Sequence, residues 1–188
     1  MTQATQGFFA VTLWYKPGRT MQGLIEQDKG HGCAVLLAAI FGIVQSWRFY
    51  AADDSQGLVV LGLGALVGVG ALFFFAWLLR NFSRWFGASV PIRHVRLALG
   101  LSLLPWTLMF AVLIGMLGQA PDASAIAGYF PVFFAVFLYG YILLLLSLSS
   151  VLNLSFLKTF LCLVITTLVS FFPITLILQL MVGVPATP

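Results

Sequence analysis

The chain has 188 residues, 61% of them hydrophobic and only 7% charged, with nine basic and five acidic side chains and a net charge of +4. Soluble domains carry about a quarter charged residues, and a mean hydropathy of +1.07 is more apolar surface than a water-soluble chain of this size hides. The composition therefore excludes a soluble domain and marks one compact membrane domain, with nothing to set off a second.

In chain order, Phe8, Phe9, Val11, Leu13, Trp14 and Tyr15 form an aromatic-rich segment too short to span a bilayer and suited to the headgroup boundary. Pro17 suits the first position of a helix, where its missing N–H costs nothing. Behind it Met21, Leu24 and Ile25 recur at spacings of three and four, opposite Arg19, Gln22 and Glu26. This pattern predicts an amphipathic helix lying on the inner membrane face. Acids and bases mix over residues 1–31 and a full-length apolar run follows, so the segment does not read as a signal peptide and the run reads as an uncleaved anchor.

Five stretches reach the roughly 20 apolar residues that cross about 30 Å of hydrocarbon as helix: residues 30–49, 58–79, 97–117, 124–148 and 160–183. Their continuity and length exclude barrel strands. The expected fold is all-α, a polytopic membrane protein with five transmembrane helices preceded by an interfacial amphipathic helix. Residues 1–31 form the cytoplasmic N-terminal segment, 32–184 the five-helix domain and 185–188 a short external tail.

Charges in the gaps set the direction. Lys16, Arg19, Lys29, Arg80, Arg84, Arg93, Arg96 and Lys158 fall on one side and Arg48 on the other, near the end of the first span. The positive-inside rule then puts the N-terminus in the cytoplasm and the C-terminus outside. Asp53, Asp54 and Asp122 fall in outside loops; Glu26 and Asp28 lie inside.

The loop 80–96 is the richest polar segment. Arg80 and Arg84 share a helical face, Phe82, Trp85 and Phe86 supply interfacial anchors, and Gly87 ends the helix. Ser89 and Pro91 suit the start of span three. Arg93 and Arg96 then sit near a helix N-terminus, where cations are disfavoured, so a negative partner is expected. Anionic lipid phosphates are the candidates, at about 1 kcal/mol per basic residue near the surface; the alternative is that these arginines only fix topology. Arg80, Arg84, Trp85, Arg93 and Arg96 are the candidate lipid or partner contacts.

Gly64 and Gly68 make a small-xxx-small pair for close helix approach, either within the monomer or between copies. Pro105 and Pro173 should kink spans three and five, and bent helices can line a transport path, here past Tyr139, Thr166 and Ser170. Ser147, Ser149, Ser150, Asn153 and Ser155 mark the turn between spans four and five. The span interiors offer only neutral groups such as Gln45, Ser102, Thr107 and Gln179, against an ion-coupled transporter. His31, Cys33, His94 and Cys162 gather near the inner boundary, but their spacing fits no zinc motif, and no metal or cofactor is expected. Enzyme motifs, internal repeats and nucleic-acid patches are absent, so the protein reads as non-enzymatic.

The segment Leu13-Trp14-Tyr15-Lys16-Pro17-Gly18-Arg19-Thr20 precedes the spans. Trp85-Phe86-Gly87-Ala88-Ser89 leads through Arg93-His94-Val95-Arg96 into Ser102-Leu103-Leu104-Pro105, and Leu148-Ser149-Ser150-Val151-Leu152-Asn153-Leu154-Ser155-Phe156 leads into span five. This arrangement, over residues 8–180, resembles the Yip1 domain family in its short prokaryotic form. The resemblance implies a five-helix membrane domain without catalytic residues. Eukaryotic relatives work in Golgi and vesicle traffic with small GTPases through a long cytosolic N-terminal region, which residues 1–31 do not match. Some prokaryotic relatives accompany ABC-type exporters or envelope-stress systems. The expected function is an inner-membrane interaction or accessory protein for anionic lipids, a membrane-protein partner or a second copy. The alternative is a transporter or channel component.

Overall fold

A computed structural model of the chain describes residues 12, 14–50, 57–119 and 128–182; the side chains of residues 48–50, 119, 173, 174 and 176–182 are outside that description. Phe8, Phe9, Val11, Leu13, Asp53, Asp54, Asp122, the tail 185–188 and the side chains of Arg48, Pro173 and Gln179 therefore lie outside the described residues. The described residues are helical with no strand among them. The helices are α1 (Pro17–Glu26), α2 (His31–Tyr50), α3 (Gly57–Trp85), α4 (Ile92–Ser102), α5 (Leu104–Gln119), α6 (Phe130–Leu152) and α7 (Phe156–Val182).

Three stretches are long and apolar enough to cross a membrane: Gly57–Trp85, Ile92–Gly118 and Phe130–Leu152. The described apolar parts of the other two long helices, His31–Trp47 and Phe156–Phe172, are shorter. Helix ends overrun the apolar runs where the flanking residues also favour helix. Thus α3 continues through Arg80 and Arg84 to Trp85, and α7 begins at Phe156, with Lys158 in its first turn.

Three helices at one end of the bundle stop at residues with positive φ: Asp28 (φ 50°), Gly87 (φ 90°) and Asn153 (φ 53°). After α1, Lys29 N–H donates to the Leu24 carbonyl and Asp28 N–H to that of Ile25; after α3, Ala88 N–H donates to Ser83 and Gly87 N–H to Arg84. These pairs close Schellman motifs, which satisfy carbonyls the helix itself leaves orphaned. Ser149 adds a side-chain clamp at the third, its hydroxyl donating to the Leu154 carbonyl at 2.7 Å.

The stretch predicted as span three breaks at Leu103, dividing α4 from α5. Pro105, fully buried, has no N–H for the Leu101 carbonyl, while Thr107 donates both its N–H and its hydroxyl to Leu103, at 2.8 and 2.9 Å. The helix thus breaks two residues before the proline. Helix α7 runs through position 173 without a break. Pro91 directly precedes α4 and no side chain caps it, so Ser89 is not the cap its position promised.

Small residues set the tightest packing. Ala34, Ala38, Gly42 and Ser46 recur every four residues along α2. A Cβ added to Gly42 would strike the Gly64 carbonyl, one on Gly68 the Ala38 carbonyl, and one on Gly64 the Ser46 hydroxyl. Farther along, a Cβ on Gly100 would come within 2.6 Å of Ala34. Gly64 and Gly68 therefore pack inside the chain, against α2.

The N-terminal segment differs from expectation. Helix α1 begins at Pro17 as predicted, yet Met21 is 0% exposed and Leu24 8%, packed against α4 and α6. Its apolar face belongs to the protein core rather than to a membrane surface, because α4 and α6 offer apolar residues there, including Val95, Leu97, Leu148 and Leu152, all fully buried. Upstream, Trp14 stacks on Tyr139 of α6, and Ser150 donates to the Gly18 carbonyl at 3.1 Å. Tyr139 and Ser150 are eleven residues apart, about 16 Å at 1.5 Å per residue, so residues 14–18 lie lengthwise along α6.

Candidate functional site

The α1 end of the bundle collects the charges. Its pivot is Asp28, a non-glycine residue in the left-handed region, which Asp tolerates better than most. From there its carboxylate lies 3.2 Å from His31 Nε2 and 3.3 Å from Arg93 Nη1. The negative partner expected for Arg93 at the start of α4 is thus supplied, at least in part, by the chain itself, joining the α1–α2 turn to α4. His94 is held below its ordinary 6.5 by burial first, then by the positive charge of Arg93 and His31, with Asp28 opposing.

Arg96 is placed differently. Its guanidinium lies 4.5 Å from the centre of the Phe73 ring on α3, a cation–π contact. Its Nε is buried with no hydrogen-bond partner among the described residues. Sequence reasoning paired Arg96 with Arg93 and missed this contact; the signal would have needed the register of α4 against α3. Arg80 is half-buried, Arg84 and Trp85 are exposed, and Trp85 stands edge-on to Phe82 at 4.9 Å. Phe73, Trp77, Arg80 and Arg84 follow at spacings of four, three and four on one face of α3, and Phe73 and Trp77 are 44% and 51% exposed.

The four residues weighed as a metal set do not converge. Cys162 is buried, with Sγ 3.7 Å from the Leu79 carbonyl, and Cys33 is exposed. Among the described residues, no three His, Cys, Asp or Glu side chains are placed to share a metal.

Between α2, α3, α4/α5, α6 and α7 lies a cavity of about 800 Å³. The sequence reading did not anticipate it, because it depends on how several separate helices pack around one another. Its wall includes Phe41, Val67, Leu99, Trp106, Leu144 and Thr166. Three wall hydroxyls are turned to their own helices, Ser46 donating to Ile43, Thr166 to Cys162 and Thr167 to Leu163, while Gln45 and Tyr141 add an amide and a phenol to the wall. Of the expected path residues, Thr166 lines the cavity; Ser170 donates back to Thr166, and Tyr139 is held by the N-terminal segment on Trp14. Leu63 and Val67 in the wall are 56% and 68% exposed, and Gln45 and Thr167 are exposed as well, so the cavity is open rather than enclosed.

Compared with known proteins, the chain matches no protein-family model, no curated protein and no solved structure. Fold and site together define an all-helical bundle with apolar, span-length helices, a cationic end and a largely apolar, open cavity. The apolar helices suggest a membrane protein.

Proposed function

We propose that the chain is a non-enzymatic integral membrane protein of five spans, similar to the short prokaryotic Yip1 domain proteins, that acts as an accessory or interaction protein for anionic lipids or membrane partners. In this reading it sits in the inner membrane with the α1 end in the cytoplasm and the C-terminus outside. Membership of an exporter assembly or a role in envelope homeostasis fits the same resemblance.

The observation that carries the proposal is the charge imbalance at the α1 end. Arg80, Arg84 and Arg96 stand there beside exposed Trp77 and Trp85, while Asp28, the one carboxylate forming an ion pair among the described residues, is engaged by Arg93 and His31. Unneutralised arginines flanked by aromatic rings at the end of apolar helices are the composition that anionic headgroups attract.

The test is thermal unfolding in a neutral detergent with added phosphatidylglycerol or phosphatidylcholine. Phosphatidylglycerol should raise the midpoint more, and the triple variant Arg80→Gln, Arg84→Gln, Arg96→Gln should lose that preference. Equal effects of both lipids on the unmodified protein would count against the reading. A reporter fused after Pro188 tests direction, and a cytoplasmic signal would reverse it.

The cavity favours a second reading, a transporter or channel component bent at Leu103. The hydroxyls of Ser46, Thr166 and Thr167 are spent on backbone carbonyls, which leaves Gln45 and Tyr141 as the wall's ligands for a polar solute. Solute flux through reconstituted protein, blocked by Thr166→Phe, would select this reading.

A further inference from the structure

We infer that the cavity holds the acyl tail of an anionic glycerophospholipid from the leaflet at the α1 end, with the lipid phosphate on Arg96. The inference rests on the membrane reading proposed above and adds to it an internal site.

The wall fixes the chemistry of the tail. Ser46, Thr166 and Thr167 donate to their own helices, which leaves the Gln45 amide and the Tyr141 hydroxyl as polar groups in a wall otherwise built mostly from apolar side chains, a surface suited to a hydrocarbon tail. Its volume of about 800 Å³, at roughly 30 Å³ per water-sized group, takes on the order of 25 methylenes. That is ample for one lipid tail. The exposed wall residues, Gln45 and Thr167 as well as Leu63 and Val67, leave the cavity open for a tail to enter.

Arg96 fixes the headgroup. It precedes the wall residues Leu99 and Leu103 by three and seven positions, on the same stripe of the α4 segment. Its guanidinium rests on Phe73, next to the wall residue Leu72. Arg96 thus stands on the α3–α4 seam, one turn before the α4 part of the cavity wall. Its buried Nε has no acceptor, and the nearby carboxylate of Asp28 is already shared by Arg93 and His31. A buried charged donor left without a partner is costly. A phosphate oxygen there would make a charge-assisted hydrogen bond, whereas a lipid lacking net negative charge leaves the local positive charge of Arg96 and Arg80 uncompensated.

Trp106, in the cavity wall, is a built-in probe. A variant keeping Trp106 alone, with the other four tryptophans changed to Phe, would be reconstituted in phosphatidylcholine containing a minor fraction of phosphatidylglycerol. Bromine would be carried on the tails of only one lipid at a time. Quenching by brominated phosphatidylglycerol should exceed its mole fraction by about fivefold, the factor for about 1 kcal/mol per basic residue, and Arg96→Gln should bring it down to the mole fraction. Quenching in simple proportion to both lipids, or none, would overturn the site. A parallel variant keeping Trp77 alone reports the outer surface. Enrichment at Trp77 without enrichment at Trp106 removes the internal site and spares the basic-face reading; enrichment at neither removes both. Because multiple tryptophan changes risk misfolding, native mass spectrometry of the unmodified protein in mild detergent provides the second measurement. One retained phosphatidylglycerol, lost in Ala71→Phe, is expected; no retained lipid, or phosphatidylcholine retained equally, contradicts the inference.

Discussion

The hydroxyl of Tyr139 donates to the Trp14 carbonyl at 2.6 Å, while the two rings stack 5.6 Å apart and 7° from parallel. The residues are 125 positions apart, and this double contact fastens the start of the chain to the middle of α6. A neutral hydrogen bond of this kind contributes about 1 kcal/mol and a ring pair about 0.5–1.5 kcal/mol beyond its buried area. Tyr139→Phe should therefore cost about 1 kcal/mol, and a double-mutant cycle of Trp14→Ala with Tyr139→Ala should give a coupling of roughly 1–2 kcal/mol. Tyr15→Ala, at a residue 81% exposed, should stay within about 0.5 kcal/mol. Equilibrium unfolding in mixed micelles measures all of these, and a coupling near zero would detach the segment from α6.

The glycines of α3 divide into two groups by what surrounds them. Gly64 and Gly68 meet the α2 backbone or Ser46 at once, whereas Gly62 and Gly70 have nothing within 4 Å of an added Cβ. Gly64→Ala and Gly68→Ala should each destabilise by about 1–3 kcal/mol through overpacking. Gly62→Ala and Gly70→Ala should be neutral or stabilise by up to about 1 kcal/mol through helix propensity. The unfolding midpoints of the four variants decide it. A loss of oligomer without loss of monomer stability in the first pair would mean that this face joins copies instead.

Much of the frame was legible in local signals. Pro17 opens α1, Gly87 follows α3, and Asn153 with the serines around it turns the chain into α7, because turn and cap chemistry is decided within a few residues. Gly64 and Gly68 announced close packing, but α2 was the missing half: Ala38, Gly42 and Ser46 form the matching stripe, and serine and alanine are too common in apolar helices to stand out. Partners distant in sequence were not legible. The periodicity of Met21 and Leu24 predicts an apolar face but not whether lipid or α4 and α6 cover it. The stacking of Arg96 on Phe73 and the cavity depend likewise on the mutual register of separate helices.

His94 gives the α1 end a pH dependence whose sign follows from its surroundings. Burial and the positive charge of Arg93 and His31 hold its folded-state value below 6.5, against the smaller pull of Asp28. Its contribution to stability is fully present above 6.5 and is lost as pH falls through the lowered folded-state value. Midpoints measured from neutral to mildly acidic pH should fall with pH, and His94→Gln should flatten part of that fall. The ion pairs of Asp28 with His31 and Arg93 remain in the variant. A slope unchanged by His94→Gln would assign the dependence to other groups.

The two free cysteines differ enough in surroundings to report both packing and direction. Cys33, in the first turn of α2, is exposed, while Cys162 is 0% exposed with its sulfur against the Leu79 carbonyl. Alkylation follows access to the thiolate, so a maleimide should modify Cys33 in the folded protein and reach Cys162 only through opening of the α3–α7 contact, on the order of tenfold slower or more. Labelling before and after unfolding, read by mass spectrometry, should give one modification and then two. With a membrane-impermeant reagent, Cys33 should react in inverted vesicles and be protected in intact cells if the α1 end is cytoplasmic. Reaction from the outside would reverse the orientation and move the basic face, the His94 cluster and the Arg96 side of the cavity to the other leaflet together, because all three lie at the same end of the bundle as Cys33.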